Sequence, residues 1–62
     1  MNKIKEIREK QFRTQNELAT LARLTVSTIS NVETGKTEPE FETLRKIAKA
    51  LGVDINEVWS KE

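Results

Sequence analysis

Four short polar side chains, Ser27, Ser30, Asn31 and Thr34, stand at i, i+3, i+4 and i+7, the spacing that puts residues on one face of a helix. Ile29 and Val32 occupy the opposite face of the same stretch. In a chain with 34% charged residues, this outer face carries no charge at all. Short hydroxyl and amide side chains are mediocre helix formers, so stability alone does not favour gathering them on an exposed helix. Their chemistry suits hydrogen bonding to base edges in a major groove. Asparagine can grip adenine through two bonds, and serine or threonine can bond several bases. Val26, in the first turn, adds a methyl surface suited to thymine. A plainer account is a polar face that meets only water.

Catalysis has little to work with. The chain of 62 residues has no histidine and no cysteine, which removes the usual general base, the thiolate nucleophile and the commonest metal ligands. Its serines and threonines therefore lack an activating partner, and we expect no enzyme, no cofactor and no metal site. A domain this small buries only about 60% of its unfolded surface, leaving little room for a cleft and no evident pocket for a small-molecule effector. Leu, Ile, Val and Phe still make up 16 of the 62 residues, enough for a core. No apolar run is long enough for a membrane span and no signal-peptide pattern appears. The expectation is a soluble cytoplasmic binding domain, associated with the nucleoid if its ligand is DNA.

The formal net charge of +1 conceals an asymmetry. Residues 1–36 hold seven basic side chains (Lys3, Lys5, Arg8, Lys10, Arg13, Arg23, Lys36) against four acids, and residues 37–62 hold four basic against six acidic. A polyanion would meet the first half.

The elements that must carry these groups are helices, since only two glycines and one proline interrupt the chain and no period-two alternation appears. A first helix is expected from about Asn2 to Gln11, with Ile4, Ile7, Arg8 and Phe12 on one stripe. Thr14 and Glu17 form a capping box that opens a second, turning Leu18, Ala19, Leu21 and Ala22 inward. Thr25 caps a third that ends at Gly35. After the loop around Pro39, a fourth spans about Phe41 to Leu51, with Phe41, Leu44, Ile47, Ala48 and Leu51 apolar. Asp54 and Glu57 cap a short fifth bearing Ile55, Val58 and Trp59. The chain thus reads as one all-α, five-helix domain over residues 1–62.

Only Arg23, Leu24 and Thr25 separate the second and third helices, which forces a sharp crossing: a helix-turn-helix over about residues 14–34. Arg8 and Glu33 both fall among apolar positions. Burying either alone would cost on the order of several kcal/mol, whereas together they satisfy one another. We expect a bidentate ion pair joining the first helix to the end of the third.

At these residues the chain resembles the phage repressor/Cro-like (XRE) helix-turn-helix family. The matching string is Ile7-Arg8, Thr14-Gln15-x-Glu17-Leu18-Ala19, Thr28-Ile29-Ser30-x-Val32-Glu33-x-Gly35-Lys36, Pro39, and Glu42-Thr43-Leu44-x-Lys46-Ile47-Ala48-x-Ala50-Leu51-Gly52-Val53. The resemblance implies a lambda-repressor-like fold that acts as a homodimer on operator DNA. It places Val26, Ser27, Thr28, Ser30 and Asn31 at base-contacting positions. Gln15 matches a phosphate contact at the start of the second helix. Thr34, Gly35 and Lys36 match a segment whose amides and lysine hold the sugar-phosphate chain, and the Arg8–Glu33 pair is itself a family feature. Two positions depart from the pattern: Phe12-Arg13 stands where glycine and an apolar residue are usual, which would rotate the junction before the second helix, and Arg23 replaces the usual turn glycine. Glu38, Glu40 and Glu42 would repel nearby phosphates.

The expected mechanism is equilibrium binding by a transcriptional regulator, most simply a repressor. Lys36, Arg13, Lys10 and Arg23, with Gln15 and Thr34, would anchor phosphates. The third helix would read a palindromic duplex as part of a two-fold dimer. Val53, Ile55, Val58 and Trp59 are the expected dimer surface, Trp59 alternatively completing the core. The rival reading keeps the fold but not the DNA specificity, as in an antitoxin or adaptor.

Overall fold

Capping chemistry sets where the helices start. In the computed structural model, which describes residues 2–59, the helices are α1 (Ile4–Lys10), α2 (Gln15–Ala22), α3 (Val26–Thr34), α4 (Phe41–Leu51) and α5 (Ile55–Val58). Thr14 accepts from the Glu17 amide at 3.0 Å while Glu17 accepts from the Thr14 amide at 2.9 Å, a complete capping box. Asp54 and Glu57 form the same reciprocal arrangement ahead of α5. Thr25 Oγ1 accepts from the Thr28 amide at 3.1 Å. Two reciprocal boxes in one small domain fix both the entry to α2 and the entry to the last helix.

The first helix starts later than its sequence pattern predicts. Asn2 lies outside α1, one residue before its N-cap Lys3, with its Oδ1 accepting from the Ile4 amide at 2.9 Å while its Nδ2 donates to the Val32 carbonyl. Lys3 N donates to Val58 O at 2.9 Å, and Asn2 pairs with Trp59 in an isolated antiparallel bridge. These bonds tie the start of the chain to α3 and α5 together.

Each helix contributes one residue with no exposed surface: Ile4, Leu18, Ile29, Ile47 and Val58. Val32, Ala19, Ala22, Ala48, Leu51 and Leu44 complete the buried cluster. Val58 therefore belongs to the core and not to a dimer surface, because nothing of it remains for a partner to touch. Three other inward assignments are also corrected. Phe12 is 94% exposed, Phe41 66% and Leu21 50%. Phe12 lies beyond the end of α1, so the helical stripe no longer governs its direction. Leu21 and Phe41 sit at the edges of their stripes, where the facing elements do not cover them.

Among the described residues, four take left-handed backbone: Gly35, Gly52, Phe12 (φ 57°) and Arg23 (φ 60°). The conformation usual for glycine is thus kept at the α1–α2 junction, although a phenylalanine occupies it. The L side chain costs about 1–2 kcal/mol in such a conformation, part of which glycine would return through its greater unfolded-state entropy. Phe12→Gly is accordingly expected to raise stability by about 0.5–1 kcal/mol in urea unfolding. A loss of stability would mean that the exposed ring contributes contacts in the native state.

On the surface, Arg45 Nη2 lies 2.8 Å from Glu42 Oε2. That hydrogen bond first, and the arginine charge second, hold the Glu42 carboxyl below its ordinary range. A depressed carboxylate stabilises above its unfolded pKa and loses that contribution as pH falls through the folded value; both groups are exposed, so the gain is small. Among the described residues, no helix is long and apolar enough to cross a membrane.

Candidate nucleic-acid interface

The sharp turn at Arg23–Leu24–Thr25 packs α3 against α2. Ala19 and Ala22 are 3% and 4% exposed, and side chains this small let the two helices approach closely. Leu24 N donates to Ala19 O at 2.8 Å, closing the end of α2, and Leu24 itself is half-buried against the core. With Ile29 and Val32 held inside, the rotation of α3 is fixed. Ser27 and Thr34 are exposed, Ser30 and Asn31 half-buried, and Val26 exposed at the first turn.

These side chains differ in what they have left to offer. Thr28 Oγ1 lies 2.9 Å from Thr25 Oγ1, and Thr34 Oγ1 donates to Ser30 O at 2.9 Å. Both hydroxyls are engaged at the ends of α3. Ser27, Ser30 and Asn31 have no side-chain hydrogen bond among the described residues, so their donors and acceptors are available to a ligand. The segment after α3 departs from what the resemblance implies. Gly35 N donates to Val32 O at 3.2 Å and Lys36 N to Asn31 O at 2.9 Å, so these amides close the helix and do not project toward a ligand. The exposed Lys36 ammonium remains.

Beneath this face, Arg8 Nε donates to Glu33 Oε2 at 2.6 Å and Nη2 to Glu33 Oε1 at 3.2 Å, a fork-on-carboxylate geometry. The two side chains are 9% and 1% exposed. The hydrogen bond to Glu33 raises the Arg8 pKa above its ordinary value, outweighing the opposing effect of burial. Arg8 Nη1 also donates to Arg13 O at 2.7 Å, and Gln15 Nε2 donates to Glu33 Oε1 at 2.9 Å. One carboxylate therefore holds α1, the start of α2 and the end of α3. No sequence spacing announces the Gln15–Glu33 bond, which joins residues 18 positions apart.

The remaining phosphate-contact candidates scatter. Gln15 is the first residue of α2, so its amide points out of the positive end of a helix. Its side chain keeps one N–H beyond the one given to Glu33. Arg13 is half-buried, with Nε donating to Gln11 Oε1 at 3.1 Å. Lys10 is exposed and 3.4 Å from Glu6. Arg23 stands apart, sharing a hollow with Lys46 and Lys49 of α4. Of the expected dimer residues, Val53, Ile55 and Trp59 are half-buried; Ile55 and Trp59 line a hollow of about 260 Å³ with Phe41, Leu44 and Asn56.

The helix-turn-helix family model matches residues 4–58 of the chain. Over 59 residues the chain is 37% identical to the HTH-type transcriptional regulator PuuR of Escherichia coli (strain K12), covering 95% of this chain and 32% of that protein. It is 33% identical over 60 residues to the immunity repressor protein of Bacillus phage phi105, covering 97% of this chain and 42% of that one. Among solved structures, the clp gene regulator ClgR from C. glutamicum superposes with a TM-score of 0.82 at 28% identity, over 87% of this chain and 70% of that chain. The chain spans roughly a third to two fifths of the length of these two curated relatives.

Proposed function

The chain belongs to the phage repressor/Cro-like helix-turn-helix family of transcriptional regulators, and from that premise we propose that it binds double-stranded DNA sequence-specifically as a homodimeric repressor. The observation that carries this reading is the outer face of α3, uncharged and bearing three polar side chains, Ser27, Ser30 and Asn31, without internal partners. In the proposed complex α3 lies in the major groove. Ser27, Ser30 and Asn31 meet base edges, Val26 packs on a thymine methyl, and Thr28 meets an adjacent base through its hydroxyl oxygen, accepting from an exocyclic amine, and its methyl. Lys36 and the amino end of α2 at Gln15 hold phosphates on either side, with Arg13 and Lys10 as outer electrostatic contacts and Thr34 against the sugar. The reaction is equilibrium binding in the cytoplasm on the nucleoid, and repression follows from occupying a promoter.

A single domain of this size covers too little DNA to be selective. Two copies related by a two-fold axis, reading half-sites about 34 Å apart in a palindromic operator, solve that problem. Val53, Ile55 and Trp59, beside the exposed Phe41, supply the apolar surface for such a dimer.

Selection of bound duplexes from a random pool, followed by affinity measurements across salt concentration, tests the proposal. An enriched palindromic sequence and a log–log slope of several ions are expected. A pool without enrichment and a flat slope would sink it. Lys36→Ala is expected to weaken binding to all duplexes alike and to reduce the salt slope by about one. Loss confined to one sequence would place Lys36 on a base.

A further inference from the structure

A hollow of about 590 Å³ lies between the end of α2 and the second half of α4, lined by Leu21, Ala22, Arg23, Lys46, Lys49 and Ala50. No residue of α3 lines it. Three cations surround an apolar floor. None forms an ion pair among the described residues, where the pairs are Arg8–Glu33, Lys10–Glu6 and Arg45–Glu42; Lys46 acts on Glu42 only through its charge, one turn away. Leu21, half exposed overall, is one of its lining residues, and Arg23 occupies its place at the conformational cost of a left-handed backbone.

The opposite end of α4 carries the opposite charge. Glu38 and Glu40 flank Pro39, and Glu42 follows in the first turn. Glu38 and Glu40 make no ion pair among the described residues, and Glu40, although the N-cap of α4, forms no side-chain capping bond. Its backbone is extended at φ −74°, ψ 161°, and Pro39 restricts both itself and the residue before it. The two carboxylates are thus displayed on a stiff segment that loses little freedom on binding. Within one chain no ion pair joins them to the hollow among the described residues, and Lys46 and Lys49 lie about 9 Å or more of helix rise beyond Glu40. The helix macrodipole favours acids at the start of α4 and bases at its end, and a base at Arg23, the C-cap of α2, but it does not explain the exposure of Leu21.

We propose that a second copy of this chain docks its Glu38–Pro39–Glu40 segment into the Arg23–Lys46–Lys49 hollow, with Pro39 over the floor formed by Leu21 and Ala50. The two surfaces differ, so the contact is head-to-tail and continues past two copies, unlike a two-fold dimer. On DNA it would couple neighbouring bound copies. Paired exposed charges are individually weak, so the association is modest and strongest at low salt.

Sedimentation equilibrium of the free chain at low salt should give a weight-average mass that climbs past twice the monomer with concentration, and that falls back when salt is raised. Lys46→Glu with Lys49→Glu, and separately Glu38→Lys with Glu40→Lys, should each abolish masses above the dimer. All four positions are exposed, and circular dichroism checks that both variants remain folded. Mixed in equal amounts, the two variants should associate again, since each reversed surface then meets its complement. A wild-type mass that never exceeds the dimer, either variant associating alone, or a mixture that fails to recover would overturn the proposal. DNA is absent throughout, so the result does not depend on the operator-binding reading.

Discussion

Arg8→Ala is expected to lower the stability of the domain by about 3–5 kcal/mol, most of the stability of a small domain near the lower end of the usual range of roughly 5–15 kcal/mol. The size of the effect comes from what is left behind. Glu33, 1% exposed at its side chain, would lose both guanidinium bonds and keep only the Gln15 amide as a partner. The Arg13 carbonyl would lose its donor as well. Salt should change the loss little, because a pair this buried is poorly screened. The partner experiment is Arg8→Met combined with Glu33→Leu. Apolar replacement of a whole buried pair is often neutral or stabilising, so the double variant should recover most of the loss in urea or thermal unfolding. It should nevertheless bind DNA less well than its stability suggests, because Gln15 loses the carboxylate that orients it. An unchanged melting temperature for Arg8→Ala would refute the buried pair. A double variant as unstable as the single one would mean that the site depends on shape and not on charge.

That pair is legible in the sequence because two charges stand on apolar stripes, where only each other can satisfy them. The caps are legible for a different reason. Thr14 with Glu17 and Asp54 with Glu57 act over three residues, a range in which sequence spacing and spatial distance coincide. Phe12 shows where such reading stops. A stripe continued from Ile4 and Arg8 predicts burial only while the helix lasts, and α1 ends at Lys10. Leu21 and Phe41 show that an apolar stripe does not reveal its own width, which depends on what the neighbouring helices cover. The side-chain bonds from Gln15 to Glu33, Asn2 to Val32 and Gln11 to Leu51 join distant positions and leave no periodic trace. Resemblance also reaches too far at Gly35 and Lys36. Their place in the family pattern suggests amides turned toward a phosphate, whereas the local chain closes those amides onto Val32 and Asn31.

Asn31→Ala is expected to cost about 1–3 kcal/mol on the operator and to relax selectivity at a single base-pair position. Asn31 sits mid-face on α3, between Ser27 and Thr34, and its backbone carbonyl already accepts from the Lys36 amide. Only the side chain is removed by the substitution, so the helix end and the placement of Lys36 should survive, and the melting temperature should stay nearly constant. A side-chain carboxamide presents an N–H donor and a carbonyl acceptor side by side in one plane, which matches adenine N7 and N6 and no other single base edge as well. The loss should therefore be largest against duplexes with adenine at the affected position and should nearly vanish when that pair is already mismatched. The salt slope should not move, because no phosphate contact is lost. Comparing wild-type and Asn31→Ala selections from the same duplex pool measures all three features together. Equal weakening on every sequence would place Asn31 on the backbone, and a lowered salt slope would do the same. Either result would shift base reading to Ser27 and Ser30, the remaining unengaged side chains of the face.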